Sequence, residues 1–237
     1  MLSTGERPQL PMIPSVVDST ILSREQAHIK SNLQSNATFT TTTQNPVVAT
    51  QHIWVVTGPA GCGKSTVGQA LHQKLGVPFL EGDDFHPISN KEKMSNGNPL
   101  TDEDRWDWLI SLRNAAIEAL SPSESNNFHP PAGVVVSCSA LKRKYRDVIR
   151  VAAYGSPSVQ IHFIYLKLTE AELLRRVSQR QSHYMKSDMV RSQITALEEP
   201  QSEWDAITIN VENSQEHVKQ QVFDAVAAKI AEASYKA

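Results

Sequence analysis

The sequence predicts an α/β domain in which five short parallel strands form a sheet with helices on both faces. Three observations predict it. From His52 onward, short apolar runs alternate with segments of helical periodicity. A glycine-rich loop joins the first run to the first helix. No stretch approaches the roughly 18 consecutive apolar residues that a membrane-spanning helix needs.

Each element has a local reason. Ile53-Trp54-Val55-Val56-Thr57 is an apolar run, and the helix after the loop ends near Leu75-Gly76. Phe79-Leu80 leads into an acidic turn. The long amphipathic helix that follows is capped by Thr101 with Asp104 three residues on, and Trp106, Leu109, Ile110, Ile117 and Leu120 mark its expected buried stripe. Residues 121–132 form a Pro/Ser/Asn-rich loop. Val134-Val135-Val136 reads as a buried strand, followed by a basic helix over 142–150. Residues 161–166 supply a fourth strand, and Thr169 with Glu172 caps the next helix. A polar stretch at 179–187 reads as a lid, and a further helix runs to Glu199-Pro200. Residues 206–211 form the fifth strand, and the last helix starts near Ser214.

Gly58-Pro59-Ala60-Gly61-Cys62-Gly63-Lys64-Ser65, followed by Thr66, matches G-x-x-x-x-G-K-[ST] at every fixed position. The strand before it and the helix after it are the context the motif requires. Glycines let the backbone wrap so that N–H groups converge on phosphate oxygens, and the helix N-terminus adds the positive end of its dipole. Lys64 is placed to reach the β/γ-phosphates and the Ser65 hydroxyl to ligate Mg²⁺. This is a nucleotide site, with ATP and Mg²⁺ as expected cofactors.

Motor and switch NTPases carry an Asp directly after a second apolar strand. Here the third, fourth and fifth strands run into Ser137, Lys167 and Asn210, and the acids follow the second strand instead, as Glu81-Gly82-Asp83-Asp84. Strand ends of an open α/β sheet face the ligand crevice, so these acids belong near the phosphates. Glu81 is the expected magnesium carboxylate. Asp83 is expected to orient an acceptor hydroxyl and take its proton; Asp84 reads as a solvated surface acid.

The run Glu81-Gly82-Asp83-Asp84-Phe85-His86-Pro87, then Asn90, Lys93-Met94, Gly97, Pro99-Leu100, Asp102 and Asp104-Arg105, resembles the gluconokinase family of small-molecule kinases. So do Cys138-Ser139-Ala140-Leu141-Lys142 with Tyr145-Arg146-Asp147, His183-Tyr184-Met185, and Ser192-Gln193 leading to Leu197-Glu198 and Pro200. The resemblance covers residue 53 to the C-terminus, in order. It implies a shikimate-kinase-like P-loop fold with strand order 2-3-1-4-5. It also implies transfer of the ATP γ-phosphoryl group to the 6-hydroxyl of D-gluconate, giving 6-phosphogluconate, which feeds the pentose phosphate pathway. Glu81 stands where many members carry Asp, and Trp106-Asp107-Trp108 replaces a more usual Pro before the Trp.

Gluconate is a linear polyol with one carboxylate, so its pocket needs a cation and several hydroxyl partners. Arg105 is the first choice for the carboxylate, because a guanidinium binds it as a bidentate fork. A helix-surface ion pair with Asp102 or Asp104 is the alternative. Lys142 and Arg146 follow the third strand, share a helix face and are further substrate candidates. His86 is a candidate partner for a substrate hydroxyl. Arg176 and Arg180, four apart before the polar stretch, are expected to neutralise the phosphates and exclude water, as lid arginines of related small kinases do. Cys62 reads as inert filler within the loop.

Composition limits the alternatives. The 237 residues carry 23 Lys+Arg against 25 Asp+Glu, a net charge of −2, which gives no bulk electrostatic reason to bind nucleic acid or an anionic membrane. Cys62 and Cys138 cannot build a disulfide scaffold, and the N-terminus shows no apolar signal core, so cytoplasm is the expected location. Between Ser31 and Thr50, 13 of 20 residues are Ser, Thr, Asn or Gln and none is charged, so residues 1–51 read as a disordered extension and 52–237 as the kinase domain. The competing readings are a kinase of the same fold for another small hydroxylated acid such as shikimate, and a nucleotide-dependent regulatory protein without catalysis. Homodimerisation is expected from the family resemblance alone.

Overall fold

The computed structural model describes residues 49–179 and 187–236, and the unit that carries the sheet spans Pro46–Ala237. Five parallel strands, β1 (Gln51–Thr57), β2 (Phe79–Glu81), β3 (Gly133–Ser137), β4 (Val159–Lys167) and β5 (Ala206–Asn210), lie in the order β2-β3-β1-β4-β5. The helices are α1 (Lys64–Leu75), α2 (Ile88–Ser95), α3 (Glu103–Ala119), α4 (Arg143–Arg150), α5 (Glu170–Ser178), α6 (Ser187–Ala196) and α7 (Gln215–Lys236).

Alternate residues of a strand face opposite sides of the sheet, and β1 shows the consequence. Ile53 and Val55 pack with Leu109 and Leu112 of α3 and Tyr145 and Ile149 of α4. Trp54 and Val56 pack with Leu71 of α1, Leu173 of α5 and Val222 of α7. Both faces of the strand are therefore buried, which is why it reads as a continuous apolar run. β1 pairs with β3 on one side and β4 on the other, so the loop leaving it opens at the point where the strand order diverges.

Several expectations shift. Gln51 already belongs to β1, and its Nε2 donates to the Leu120 and Pro131 carbonyls at 2.8 and 2.9 Å, so the boundary of the folded unit lies before residue 51. The remainder of the proposed extension, residues 1–48, lies outside the described residues, as do 180–186 of the expected lid. Helix α2 was not foreseen. In α3 the buried residues are Trp108, Leu109, Leu112 and Ala116, with Leu120 just beyond its end, while Ile110 and Ile117 are exposed. The expected cap at its start is present: Asp104 accepts from the Thr101 N–H and hydroxyl at 2.8 and 2.9 Å, and its own N–H donates to the Thr101 hydroxyl. Helix α6 stops at Ala196, short of Pro200.

At the far end of the sheet from the strand C-termini, His52 and His162 meet with Nδ1 and Nε2 3.2 Å apart, both stacked on Trp54. Burial lowers the pKa of each, that of His162 to about 4.

Candidate active site

The loop between β1 and α1 passes through left-handed backbone that side chains rarely adopt. Gly63, immediately before α1, has φ 107°. Its start is tied to the turn after β3, where the Ser139 carbonyl accepts from Thr57 Oγ1 at 2.6 Å and from the Gly58 N–H at 3.3 Å. Lys64 Nζ donates to the Pro59 carbonyl at 3.2 Å. Cys62 is buried and its thiol pKa is raised by that burial, which keeps it protonated and unreactive.

After β2 the chain turns in a single 3₁₀ segment, Gly82–Phe85. Gly82 is required by close approach: a Cβ there would stand 2.3 Å from the Ser137 carbonyl oxygen. Trp108 Nε1 donates to the Gly82 carbonyl at 2.7 Å, and the Trp108 ring stacks on His86 with centroids 4.0 Å apart. This turn presents Glu81, Asp83 and Asp84 to one cavity of about 730 Å³, shared with Ala60, Gly61, Gly63, Lys64, Ser65 and Thr66 of the loop, and with His86, Arg105, Ser139 and Gln193. Most of the expected phosphate, base and substrate residues are thus brought together. His86 is buried, and desolvation, then Arg105 and Lys91, push its pKa down to about 4, so its ring is neutral at pH 7.

Arg105 lines this cavity. Its guanidinium donates to the Leu100 and Thr101 carbonyls and lies 5.5 Å from the centre of the Tyr145 ring. Among the described residues it has no carboxylate partner, so the alternative of an ion pair with Asp102 or Asp104 is not what the structure shows. Those acids are engaged elsewhere. Asp104 pairs with Lys93 at 2.5 Å, which with the Thr101 cap holds its pKa at about 2. Asp102 accepts from Lys144, Tyr145 and Lys142, the last at 2.9 Å, and these bonds hold its carboxyl well below the usual carboxylate range.

Three sequence candidates stand apart. Lys142 is committed to Asp102 and does not line the cavity. Arg146 does not line the cavity: it is 1% exposed, forks onto Glu203 at 2.6 and 2.9 Å, and donates to the carbonyls of Ala140, Leu141 and Glu198. Arg176 donates to Glu172 at 2.7 Å and to the Val211 carbonyl. It lines a second cavity, about 520 Å³, across the loop from the first and bordered by Gly61, Cys62, Gly63, Thr66, Asn213 and Lys219. Arg180 lies outside the described residues. Sequence reasoning met Gln193 only as part of a motif, Trp108 only as a departure from the family pattern, and Asp102 only in a motif and as a possible partner of Arg105; their actual partners lie too far along the chain to leave a local signal.

Ser65 and Glu81 offer a hydroxyl and a carboxylate oxygen at the same cavity, the hard donors Mg²⁺ takes when phosphate and water oxygens complete its shell. Among the described residues no cluster of three or more His, Cys, Asp or Glu could hold a metal by itself.

A family model described as an AAA domain matches residues 53–203. The chain is 45% identical over 177 residues to a probable gluconokinase of Schizosaccharomyces pombe, covering 74% of this chain and 88% of that one. It is 37% identical to the thermosensitive gluconokinase of Escherichia coli, covering 74% and 87%. A gluconokinase structure from Sinorhizobium meliloti superposes with a TM-score of 0.68 at 34% identity, over 80% of this chain and 99% of that one. Phosphate loop, acidic turn and sheet order thus coincide with identity of this extent over nearly the whole length of the relatives, and the chain belongs to the gluconokinase family.

Proposed function

We propose that the protein phosphorylates D-gluconate at the 6-hydroxyl with ATP, giving 6-phospho-D-gluconate and ADP. The observation that carries the reading is the shared cavity: the phosphate-loop residues Ala60, Gly61 and 63–66, the Asp83 carboxylate and a guanidinium that has no carboxylate partner among the described residues all open onto one space. In this reading the loop N–H groups and Lys64 hold the β- and γ-phosphates, and the base and ribose extend into the second cavity beside Arg176. The Asp83 carboxylate accepts the 6-hydroxyl proton as that oxygen bonds to the γ-phosphorus and the bond to the ADP oxygen breaks. Arg105 holds the substrate carboxylate, and neutral His86 offers a hydrogen bond to a hydroxyl without adding charge. Ser65 and Glu81 would hold Mg²⁺, which when bound screens the phosphate charges. No described helix is long and apolar enough to cross a membrane, and the reaction requires only water-soluble substrates.

The test is coupled ADP release with a panel of acceptors. Gluconate should give turnover far above glucose, shikimate and nucleoside monophosphates. Equal turnover with shikimate, or none with gluconate, overturns the substrate assignment.

A further inference from the structure

Gln193, on the inner side of α6, places its side-chain Oε1 2.7 Å from the backbone N–H of Ala60, inside the phosphate loop. A backbone N–H can only donate, so the amide has one permitted orientation, with Oε1 on the loop and the NH₂ group directed away from it. Among the described residues that NH₂ donates to nothing. Nor is it among the polar atoms sealed in the interior without a partner. Gln193 lines the same cavity as Lys64, Ser65, Asp83 and Ser139. Helix α6 itself is anchored by Val190, which is fully buried, and by Ile194, both packed into the core that also holds Cys62 and Val177. The amide is therefore held at both ends, by the helix that carries it and by the loop it touches.

We propose that Gln193 is a further residue of the phosphoryl-transfer site, its NH₂ donating to an oxygen of the phosphoryl group in transit. The inference rests on the reading of the loop as a γ-phosphate site and not on the identity of the acceptor. A neutral donor whose orientation is set before the substrate arrives suits a group whose charge is spread over its peripheral oxygens. The loop N–H does for the amide what a second side chain does elsewhere, fixing which atom faces the reaction.

Two substitutions separate this role from simple buttressing of the loop. Gln193→Ala removes both the anchor and the donor. Gln193→Glu keeps an oxygen for the Ala60 N–H but turns a second carboxylate oxygen toward the phosphoryl group. Loss of one such donor costs on the order of 100- to 1,000-fold in kcat. Gln193→Ala should therefore lower kcat by that range with little change in the KM for ATP, and Gln193→Glu should be slower still. In binding measurements without acceptor, Gln193→Glu should weaken a non-hydrolysable ATP analogue at least tenfold more than ADP, because only the former carries a γ-phosphate. Unfolding midpoints of both variants near that of the unaltered protein would exclude a general loss of fold. An active Gln193→Glu that matches or exceeds Gln193→Ala, or equal weakening of ADP and the ATP analogue, overturns the proposal. The binding arm stands even if gluconate proves not to be the acceptor, which separates the two failures.

Discussion

Replacing Arg146 by Ala distinguishes a substrate ligand from a buried strut. The guanidinium is 1% exposed and makes five hydrogen bonds, two of them the fork onto Glu203 and three to the carbonyls of Ala140, Leu141 and Glu198. Removing one partner of a buried ion pair costs about 3–5 kcal/mol, because the other is left uncompensated. Here Glu203 keeps Arg150, which relieves part of that cost, but three buried or half-buried carbonyls lose a charged donor at roughly 1–3 kcal/mol for each group left unsatisfied. At the low end of both ranges, with most of the ion-pair cost relieved, the two losses sum to about 4 kcal/mol. For a domain of this size each kcal/mol moves Tm by about 2–4 °C, so Arg146→Ala should lower Tm by roughly 8–16 °C. The assay is thermal unfolding followed by circular dichroism, together with KM for gluconate measured well below the lowered Tm. The surviving folded enzyme should bind gluconate normally. An unchanged Tm with a strongly raised gluconate KM would refute the assignment and return Arg146 to the substrate pocket.

Lys64→Ala should weaken ATP binding by about 1.5–3 kcal/mol, the worth of a charge-assisted contact, as read by titration with a non-hydrolysable analogue. Asp83→Asn should leave that affinity nearly unchanged and lower kcat by about a hundredfold or more; near-normal kcat would remove Asp83 as the proton acceptor. Arg105→Ala should raise the gluconate KM by roughly 10- to 100-fold while ATP affinity without gluconate stays constant; an unchanged KM would move the carboxylate contact elsewhere in the cavity. For His162 the folded pKa lies near 4 against 6.5 for an exposed histidine, so between those values the unfolded chain binds more protons and stability falls as pH falls. The loss is at most about 3 kcal/mol. His162→Gln should flatten the decline of Tm between pH 6.5 and 4, and a slope identical to that of the unaltered protein would refute it.

The phosphate loop and the acidic turn were legible because their chemistry is local: glycines, Lys64, Ser65, Glu81 and Asp83 act within a few residues of one another and at strand ends whose direction follows from the fold. The central strands β1, β3 and β4 were legible for a similar reason, since burial on both faces demands apolar runs. The buried face of α3 was not. Apolar residues occupy most sides of that helix, and only the neighbouring sheet decides that Trp108, Leu112 and Ala116 turn inward while Ile110 and Ile117 face out. Helix α2 escaped because its buried residue is Asn90, whose Nδ2 donates to the Asp104 carbonyl at 2.6 Å, so it shows no apolar stripe. Arg146 misled for the opposite reason. Its position four residues from Lys142 suggested a shared helix face, but Lys142 is the extended residue before α4 and pairs with Asp102, whereas Arg146 turns inward to Glu203, 57 residues further on.

In the proposed reading, the charges around the cavity let Arg105 govern which end of the acceptor goes where. Asp102 draws Lys142 and Lys144 together at the start of α3, and Asp104 takes Lys93. His86 stays neutral at pH 7 because ionising it costs desolvation and places a charge near Arg105 and Lys91. Opposite Arg105 in composition, the turn after β2 contributes Glu81, Asp83 and Asp84 to the same cavity. A carboxylate is repelled by such a turn, whereas a hydroxyl can donate to it. In the proposed reading, a linear acid with its carboxylate at one end and a primary hydroxyl at the other then takes one orientation, anion on the guanidinium and hydroxyl on Asp83. Reversing it would bury like charges together. Asp102 supports Arg105 indirectly, by accepting from Tyr145, over whose ring Arg105 lies.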